Sequence, residues 1–395
     1  MQKSKQFFPI ITSLATGTPE NIIPQSDAAR VVTNFLDLEQ NRARIDKLYK
    51  NTRIETRHLA VNLLSDETIA FSKQHGNIES RMLMYKKYAV PLAERVARQA
   101  LQEASASQEN ITDSIRLIVF VSSTGFVAPG VDIELIEKLE LRRDIGRVTV
   151  SFMGCAAAMN GLRVACDHVL AHPTHKALVI CLELSSVNAV FEDEIGDVII
   201  HSIFGDGCAA MIIGAIEEEQ AFGRGKVVIK DNFSYLAPQT KDGIVLGIKH
   251  NGITCRLSRQ LPDYIEAGVG PIIERFLASH QLTKENIDQW AIHPGGTRII
   301  EKSQLSIGLR DDQVADSWDI LRQYGNMLSP SVLFVIQRMI LRRNKDYLIA
   351  DQEYVRLSNQ QNQAQKFPEN LTTLTGIAFS FSPGIGVEGI LFQLG

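Results

Sequence analysis

Residues Val148–Leu162 read VTVSFMGCAAAMNGL. The β-rich run up to Phe152 argues for a strand, and the small residues after it predict a helix over Ala156–Ala171. Gly154-Cys155 stands at the turn between them. Free N–H groups and the positive end of the helix dipole at such a place lower the pKa of a thiol, which makes Cys155 a candidate nucleophile. The plainer alternative is a core cysteine. Gly161 inside the helix costs about 1 kcal/mol relative to alanine, so it signals close packing or a site.

Outward from this stretch, a helix is predicted over Lys87–Ser105, and strands over Ile115–Ser122, Arg147–Phe152, Lys176–Leu184 and Cys208–Ile213. The opening run MQKSKQFFPIITSLATG faintly mimics a signal peptide, but Pro9 interrupts its apolar part and it reads as a first strand. After a loop-rich stretch near Gly223–Gly252, the pattern repeats. A helix is predicted over Leu261–His280 and a short strand over Gln289–His293. Ser329 and Pro330 read as the cap and first residue of a helix whose stripe is Val332, Val335, Ile336, Met339 and Ile340. Strands at Thr375–Ser382 and Val387–Leu394 close the chain. Strands alternating with helices indicate α/β layers, and two similar halves suggest a duplicated α/β unit, divided as 1–225 and 226–395.

Composition sets the outer bounds. At about 150 residues per domain, 395 residues suit two to three domains. With 45% hydrophobic and 22% charged residues, a mostly disordered chain is excluded. Lys plus Arg is 41 against 45 Asp plus Glu, a net charge of −4, so the basic excess of a nucleic-acid binder is missing. The 5 cysteines are odd in number and form no C-x-x-C, which argues against a disulfide framework or a thiolate zinc site and fits a reducing, cytoplasmic setting. No apolar run reaches the ~18 residues a membrane span needs.

Other motifs are ambiguous taken singly. Trp290-Ala-Ile-His293-Pro-Gly-Gly puts a histidine where a strand opens into a glycine turn, a frequent catalytic position, although core histidines are common there too. Asn326, in YGNMLSP, reads as a cap or turn residue. Phe204-Gly-Asp206-Gly reads as a tight turn. The acidic cluster Glu192, Asp193, Glu194 and Asp197 has no histidine at ligand spacing and suits a solvated loop better than a metal site. Gly384-Ile-Gly386-Val-Glu-Gly389 matches G-x-G-x-x-G, but a strand follows instead of the helix a dinucleotide site needs. Arg44, Lys47 and Lys50 recur every three residues on a predicted helix Asn34–Asn51, as a solvated basic face or as phosphate contacts.

Together, MGCAAAMNGLRVA, FGDGCAA, WAIHPGG and YGNMLSPSVLFV resemble, in order and spacing, the type III polyketide synthases, the chalcone-synthase-like branch of the thiolase superfamily. The resemblance implies a five-layered αβαβα thiolase fold, a homodimer, and coenzyme A thioesters as substrates with no further cofactor or metal. It assigns the nucleophile to Cys155, the catalytic histidine to His293, the catalytic asparagine to Asn326 and an active-site phenylalanine to Phe204. CoA phosphates would meet Arg44, Lys47 and Lys50.

The chain also departs from the plant enzymes. Their G-F-G-P-G loop stands here as Ser380-Phe381-Ser382-Pro383-Gly384. Cys255 replaces a gatekeeping phenylalanine, Leu246 a small residue, Leu328 a serine and Asn188 a threonine. Ser123, Pro383 and Gly384 complete the implied substrate cavity. Such a cavity suits an aliphatic, long-chain acyl starter and an alkylresorcinol or alkylpyrone product. The alternatives are a priming ketoacyl synthase of fatty-acid synthesis and a catalytically silent partner on the same fold. A degradative thiolase would need a late second cysteine, and the last here is Cys255.

Overall fold

The computed structural model describes residues 6–35, 42–62, 65, 76–105, 111–189, 195–221, 225–345 and 373–395. Its strands are β1 (Phe7–Gly17), β2 (Ile22–Pro24), β3 (Thr56–His58), β4 (Ile115–Val121), β5 (Gly146–Val150), β6 (Lys176–Leu184), β7 (Asp206–Glu217), β8 (Val227–Leu236), β9 (Ile244–Lys249), β10 (Gly252–Leu257), β11 (Gln289–Ile292), β12 (Leu374–Ser382) and β13 (Gly386–Leu394). One sheet runs β11-β12-β13-β8-β1-β7-β6-β4-β5. In its first part β4 is parallel to β6, β6 antiparallel to β7, and β7 antiparallel to β1. The other part repeats this succession with β11, β12, β13 and β8. The two parts meet at two residue pairs, Ile10↔Val228 and Ile11↔Val227.

Strand alternation sorts the core into layers, since successive side chains face opposite sides of a sheet. Val119, Val121 and Val179 face a central cluster with Ala158, Leu162, Val332, Val335 and Met339. Ile118, Phe120 and Ile180 face the other way, toward Ala93, Val96 and Ala97 of the helix Ile78–Ser105. In the second half Ala378 and Ile390 join the central cluster, while Ile377 and Phe379 pack with Ile273 and Ile300 of the helices Leu261–Ser279 and Thr297–Ile307. The helix Ala157–Ala171 and the helix 331–345 thus lie between two sheet halves, with helices outside both. This is the αβαβα layering of the thiolase fold. A Cβ at Gly161 would come 2.7 Å from Val121 Cγ2, so that glycine serves helix-to-sheet packing.

Several sequence expectations need correction. The stretch Gly223–Gly252 is not loop-rich throughout: it holds β8 and β9, and β8 is paired on both edges, to β1 and β13. The helix expected from Lys87 begins at Ile78 and carries Pro91 in its interior. The helix expected over Asn34–Asn51 is two helices, Gln25–Phe35 and Arg42–Asn51, with residues 36–41 outside the described ones. Ser329 does not cap the following helix. Its hydroxyl donates to Glu183 Oε1, while the Pro330 carbonyl accepts the first helical bond, from Phe334 N–H. Asp206 is no turn residue: it opens β7 and is fully buried, accepting from Ala60 N–H at 2.7 Å and Ser186 N–H at 2.9 Å. The acidic residues Glu192, Asp193 and Glu194 lie outside the described residues. Gly389 lies in β13, where a Cβ would come 2.4 Å from Ala378 O, so the G-x-G-x-x-G match reflects strand packing. No helix among the described residues is long and apolar enough to cross a membrane.

Candidate active site

Cys155 lies in a 3-10 turn, Gly154–Ala156, that leads into the helix Ala157–Ala171. The chain reaches it through two left-handed residues, Phe152 (φ 57°) and Gly154 (φ 56°). Phe152 pays steric strain there, a common mark of functional sites. Gly154 N–H donates to Ser123 Oγ at 3.0 Å. A Cβ at Gly154 would sit 3.3 Å from Pro383 and 3.7 Å from Leu246, so the glycine lets the thiol's turn approach both.

Asn326 comes from the opposite half. Its N–H donates to Ile203 O and its carbonyl accepts from Gly205 N–H, both at 2.9 Å, in a parallel bridge beside Phe204. Gly325 permits this approach: its φ is 69°, and a Cβ would come 2.6 Å from Ile203 O. The Asn326 side chain is fully oriented. Oδ1 accepts from Leu328 N–H at 2.8 Å, and Nδ2 donates to Gly295 O at 3.2 Å while facing Cys155 Sγ at 3.9 Å.

His293 directly follows the short strand β11, with its N–H donating to Phe379 O. Its side chain is buried, yet neither ring nitrogen has a hydrogen-bond partner among the described residues. A Cβ at Gly295 would lie 3.1 Å from His293 Nε2. Gly295 therefore makes room for the imidazole and orients the Asn326 amide through its carbonyl.

Burial governs the ionisation of this site. It holds the His293 imidazole down to about 3. It also pushes the Cys155 thiol well up, with the nearby Cys255 as the next contribution. Burial thus opposes the lowering that a helix start brings to a thiol. A thiolate here needs a partner that takes its proton within the site.

Beside these groups opens a mostly apolar cavity of about 60 Å³. Ser123, Asn188, Phe204, Leu246, Cys255 and Leu328 all line it, together with Ile200 and Ile253. Cys255 pairs with Leu246 across β9 and β10. Asn188 ties the wall together, donating to Thr124 O at 2.7 Å and accepting from Ile253 N–H at 3.1 Å. Pro383 and Gly384 are not lining residues: Pro383 lies against Gly154, and Gly384 donates to Ile244 O. Arg44, Lys47 and Lys50 are on the exposed face of the helix Arg42–Asn51, outside the cavity, while Ile45 and Tyr49 of that helix are buried. Cys166, Cys181 and Cys208 are core residues.

Sequence reasoning missed Glu183, Ser329 and Gly295. Glu183 carried one signal, a carboxylate inside the apolar run ALVICLEL of β6. Among the described residues no group of three or more His, Cys, Asp or Glu is arranged to hold a metal ion. Cys155, His293 and Asn326 stand beside this cavity rather than among its lining residues. A thiol, an amide donor and an imidazole in such a place can carry acyl transfer through a thioester, with hydrogen-bond donors for a developing oxyanion.

The sequence pattern of the N-terminal domain of chalcone and stilbene synthases matches residues 2–217, and that of their C-terminal domain residues 229–394. The chain is 47% identical over 386 residues to the alpha-pyrone synthesis polyketide synthase-like Pks18 of Mycobacterium tuberculosis, covering 98% of this chain and 91% of that one. It is 27% identical over 337 residues to the 1,3,6,8-tetrahydroxynaphthalene synthase of Streptomyces peucetius, covering 85% and 86%. The crystal structure of PKS-I from the brown alga Ectocarpus siliculosus superposes with a TM-score of 0.87 at 40% identity, covering 100% of both chains.

Proposed function

The chain belongs to the chalcone and stilbene synthase family and is a type III polyketide synthase, an acyltransferase, and from that premise we propose how its residues divide the work. Cys155 as thiolate attacks the thioester carbonyl of an acyl-CoA starter, CoA leaves as its thiol, and the acyl group rests on sulfur. His293 takes the Cys155 proton, so the two charges form as a pair inside a site that tolerates neither alone. Malonyl-CoA then follows, its thioester oxygen held by donors from His293 and Asn326. Its carboxylate carbon bond breaks, CO2 departs, and the electron pair remains as an enolate stabilised by those donors. Phe204 gives the carboxylate an apolar neighbour, which favours the neutral product. The enolate carbon attacks the acyl-Cys155 carbonyl and the thiolate leaves, ready to receive the lengthened chain. Decarboxylation supplies the carbanion, so no carboxylate base enters the scheme.

The observation that carries this reading is the approach of Asn326 Nδ2 to Cys155 Sγ at 3.9 Å, from opposite halves of the fold, with the partnerless His293 imidazole against Gly295. We assign an aliphatic, long-chain acyl starter and an alkylpyrone or alkylresorcinol product. The wall of Ile200, Leu246, Ile253 and Leu328, with small Cys255, supports this assignment. The proposal includes a homodimer working in the cytoplasm and CoA phosphates meeting Arg44, Lys47 and Lys50, whose exposure on one helix face supports it. Mass spectrometry of products from short and long acyl-CoAs with malonyl-CoA tests the reading. Long-chain products are expected, and their absence alongside short-chain products would overturn the starter. Cys255→Phe should lower kcat/KM for the long starter relative to the short one by at least tenfold, since each excluded methylene is worth about 1–3 kcal/mol.

A further inference from the structure

Glu183 is fully buried on β6 and takes no part in the chemistry above. Its carboxylate gathers donors from both halves of the fold. Oε2 accepts from Ser123 N–H at 2.9 Å and from Thr124 Oγ1 at 2.8 Å, and Oε1 accepts from Ser329 Oγ at 2.7 Å. Each contact is one step from a reacting group. Ser123 in turn holds Gly154 N–H, the residue before Cys155. Ser329 follows Leu328, whose N–H fixes Asn326 Oδ1 and so leaves Nδ2 turned to Gly295 and to the thiol. On the outer side, Tyr85 OH donates to Ser122 Oγ at 2.8 Å, beside Thr124. Glu183 thus reaches the Cys155 segment through Ser123 and the segment after Asn326 through Ser329.

We propose that Glu183 is a positioning residue that clamps the Cys155 segment to the Asn326 segment, keeping CO2 release coupled to carbon–carbon bond formation. The inference rests on the proposed function, in which Asn326 serves decarboxylation and Cys155 holds the acyl acceptor. An enolate made at one segment is useful only if the acyl carbonyl on the other is within reach; a displacement of 1 Å can cost about a hundredfold in rate. The ionised carboxylate accepts all three donors, whereas the acid loses acceptor capacity to its own proton. Burial raises Glu183 to about 7, so the clamp is complete above that pH and slackens below it. The titratable groups that face or flank it are Tyr85, Cys155, Cys181 on its own strand, and Asp206 and Cys208 on β7.

The test compares wild type, Glu183→Gln and Ser329→Ala in the full-length enzyme, counting CO2 released per carbon–carbon bond formed from a long-chain acyl-CoA and malonyl-CoA. At pH 8 the glutamine variant should release about tenfold more CO2 per bond than wild type, with KM for malonyl-CoA changed less than about twofold. Ser329→Ala should shift the ratio the same way by a smaller factor. As pH falls through about 7, the wild-type ratio should climb toward the glutamine variant's, which stays flat. A wild-type ratio in both variants, or CO2 release and bond formation falling in equal proportion, overturns the clamp. If Glu183→Gln does not fold, Ser329→Ala with a wild-type melting temperature decides. A wild-type enzyme that releases CO2 yet joins no carbon would instead overturn the proposed function, and the clamp with it.

Discussion

The two central helices open differently, although each follows a strand-like segment into the same apolar layer. Before the helix 331–345, Asn326 has both backbone groups and both side-chain polar atoms engaged. Before the helix Ala157–Ala171, the Cys155 thiol meets one side-chain partner among the described residues, the amide of Asn326, 3.9–4.0 Å away. The His293 ring, between the two in chain order, has no hydrogen-bond partner among the described residues. Unpaired buried polar groups are costly, and native structures keep few of them. Here the amide that must hold its direction is saturated by protein. The thiol and imidazole, which on the proposed function exchange a proton and a substrate, are left open at the cost of stability.

Removing the thiol breaks that contrast most severely. Cys155→Ala should abolish polyketide formation while malonyl-CoA decarboxylation persists, because the amide and imidazole remain; polyketide at wild-type rates from this variant would end the nucleophile assignment. A second experiment removes the imidazole and reads the thiol. Burial holds the Cys155 pKa above its ordinary 9.0, so without a proton acceptor less than ~1% of it is ionised at pH 7. Iodoacetamide should therefore alkylate Cys155 in His293→Ala at least tenfold more slowly than in wild type at pH 7, and the variant's rate should rise with pH through 9. Equal rates at pH 7 would show that His293 does not take the thiol's proton.

The smallest expected effect comes from a region unlike either helix opening. Arg44 and Lys47 are exposed to water on the helix Arg42–Asn51, and contacts made there with phosphates are screened by salt. The double alanine variant should raise KM for CoA substrates several-fold with kcat nearly unchanged, and added salt should weaken wild type in the same way. An unchanged KM would remove these residues from the CoA site.

The layered architecture was legible because periodicity reports burial. Lys176–Leu184 and the runs around Cys155 and His293 read correctly, since each is an apolar segment whose neighbours face one environment. β8 was missed: with Lys230, Asp231 and Ser234 it is too polar to announce itself, and its pairing to β1 and β13 comes from chain far away. Within the site, Cys155, His293 and Asn326 stood out by motif. The side-chain direction of Asn326 depends on Leu328 with its positive φ and on a carbonyl at Gly295, which no local pattern exposes. Glu183 was passed over for the same reason, because its three donors come from two separate loops. The helix start beside the thiol is visible in sequence, whereas the depth of burial that pushes its pKa up is not.

The separation of Cys155 from Asn326, 171 residues along the chain, has a consequence in time. At a synthesis speed of about 5–20 residues per second, the nucleophile leaves the ribosome roughly 10–30 s before the amide that faces it. For most of that interval neither His293 nor Asn326 has been made, and Asn326 is missing throughout it. On the proposed function the three groups meet only when the later half docks, so a polypeptide stalled before Asn326 is expected to make no polyketide.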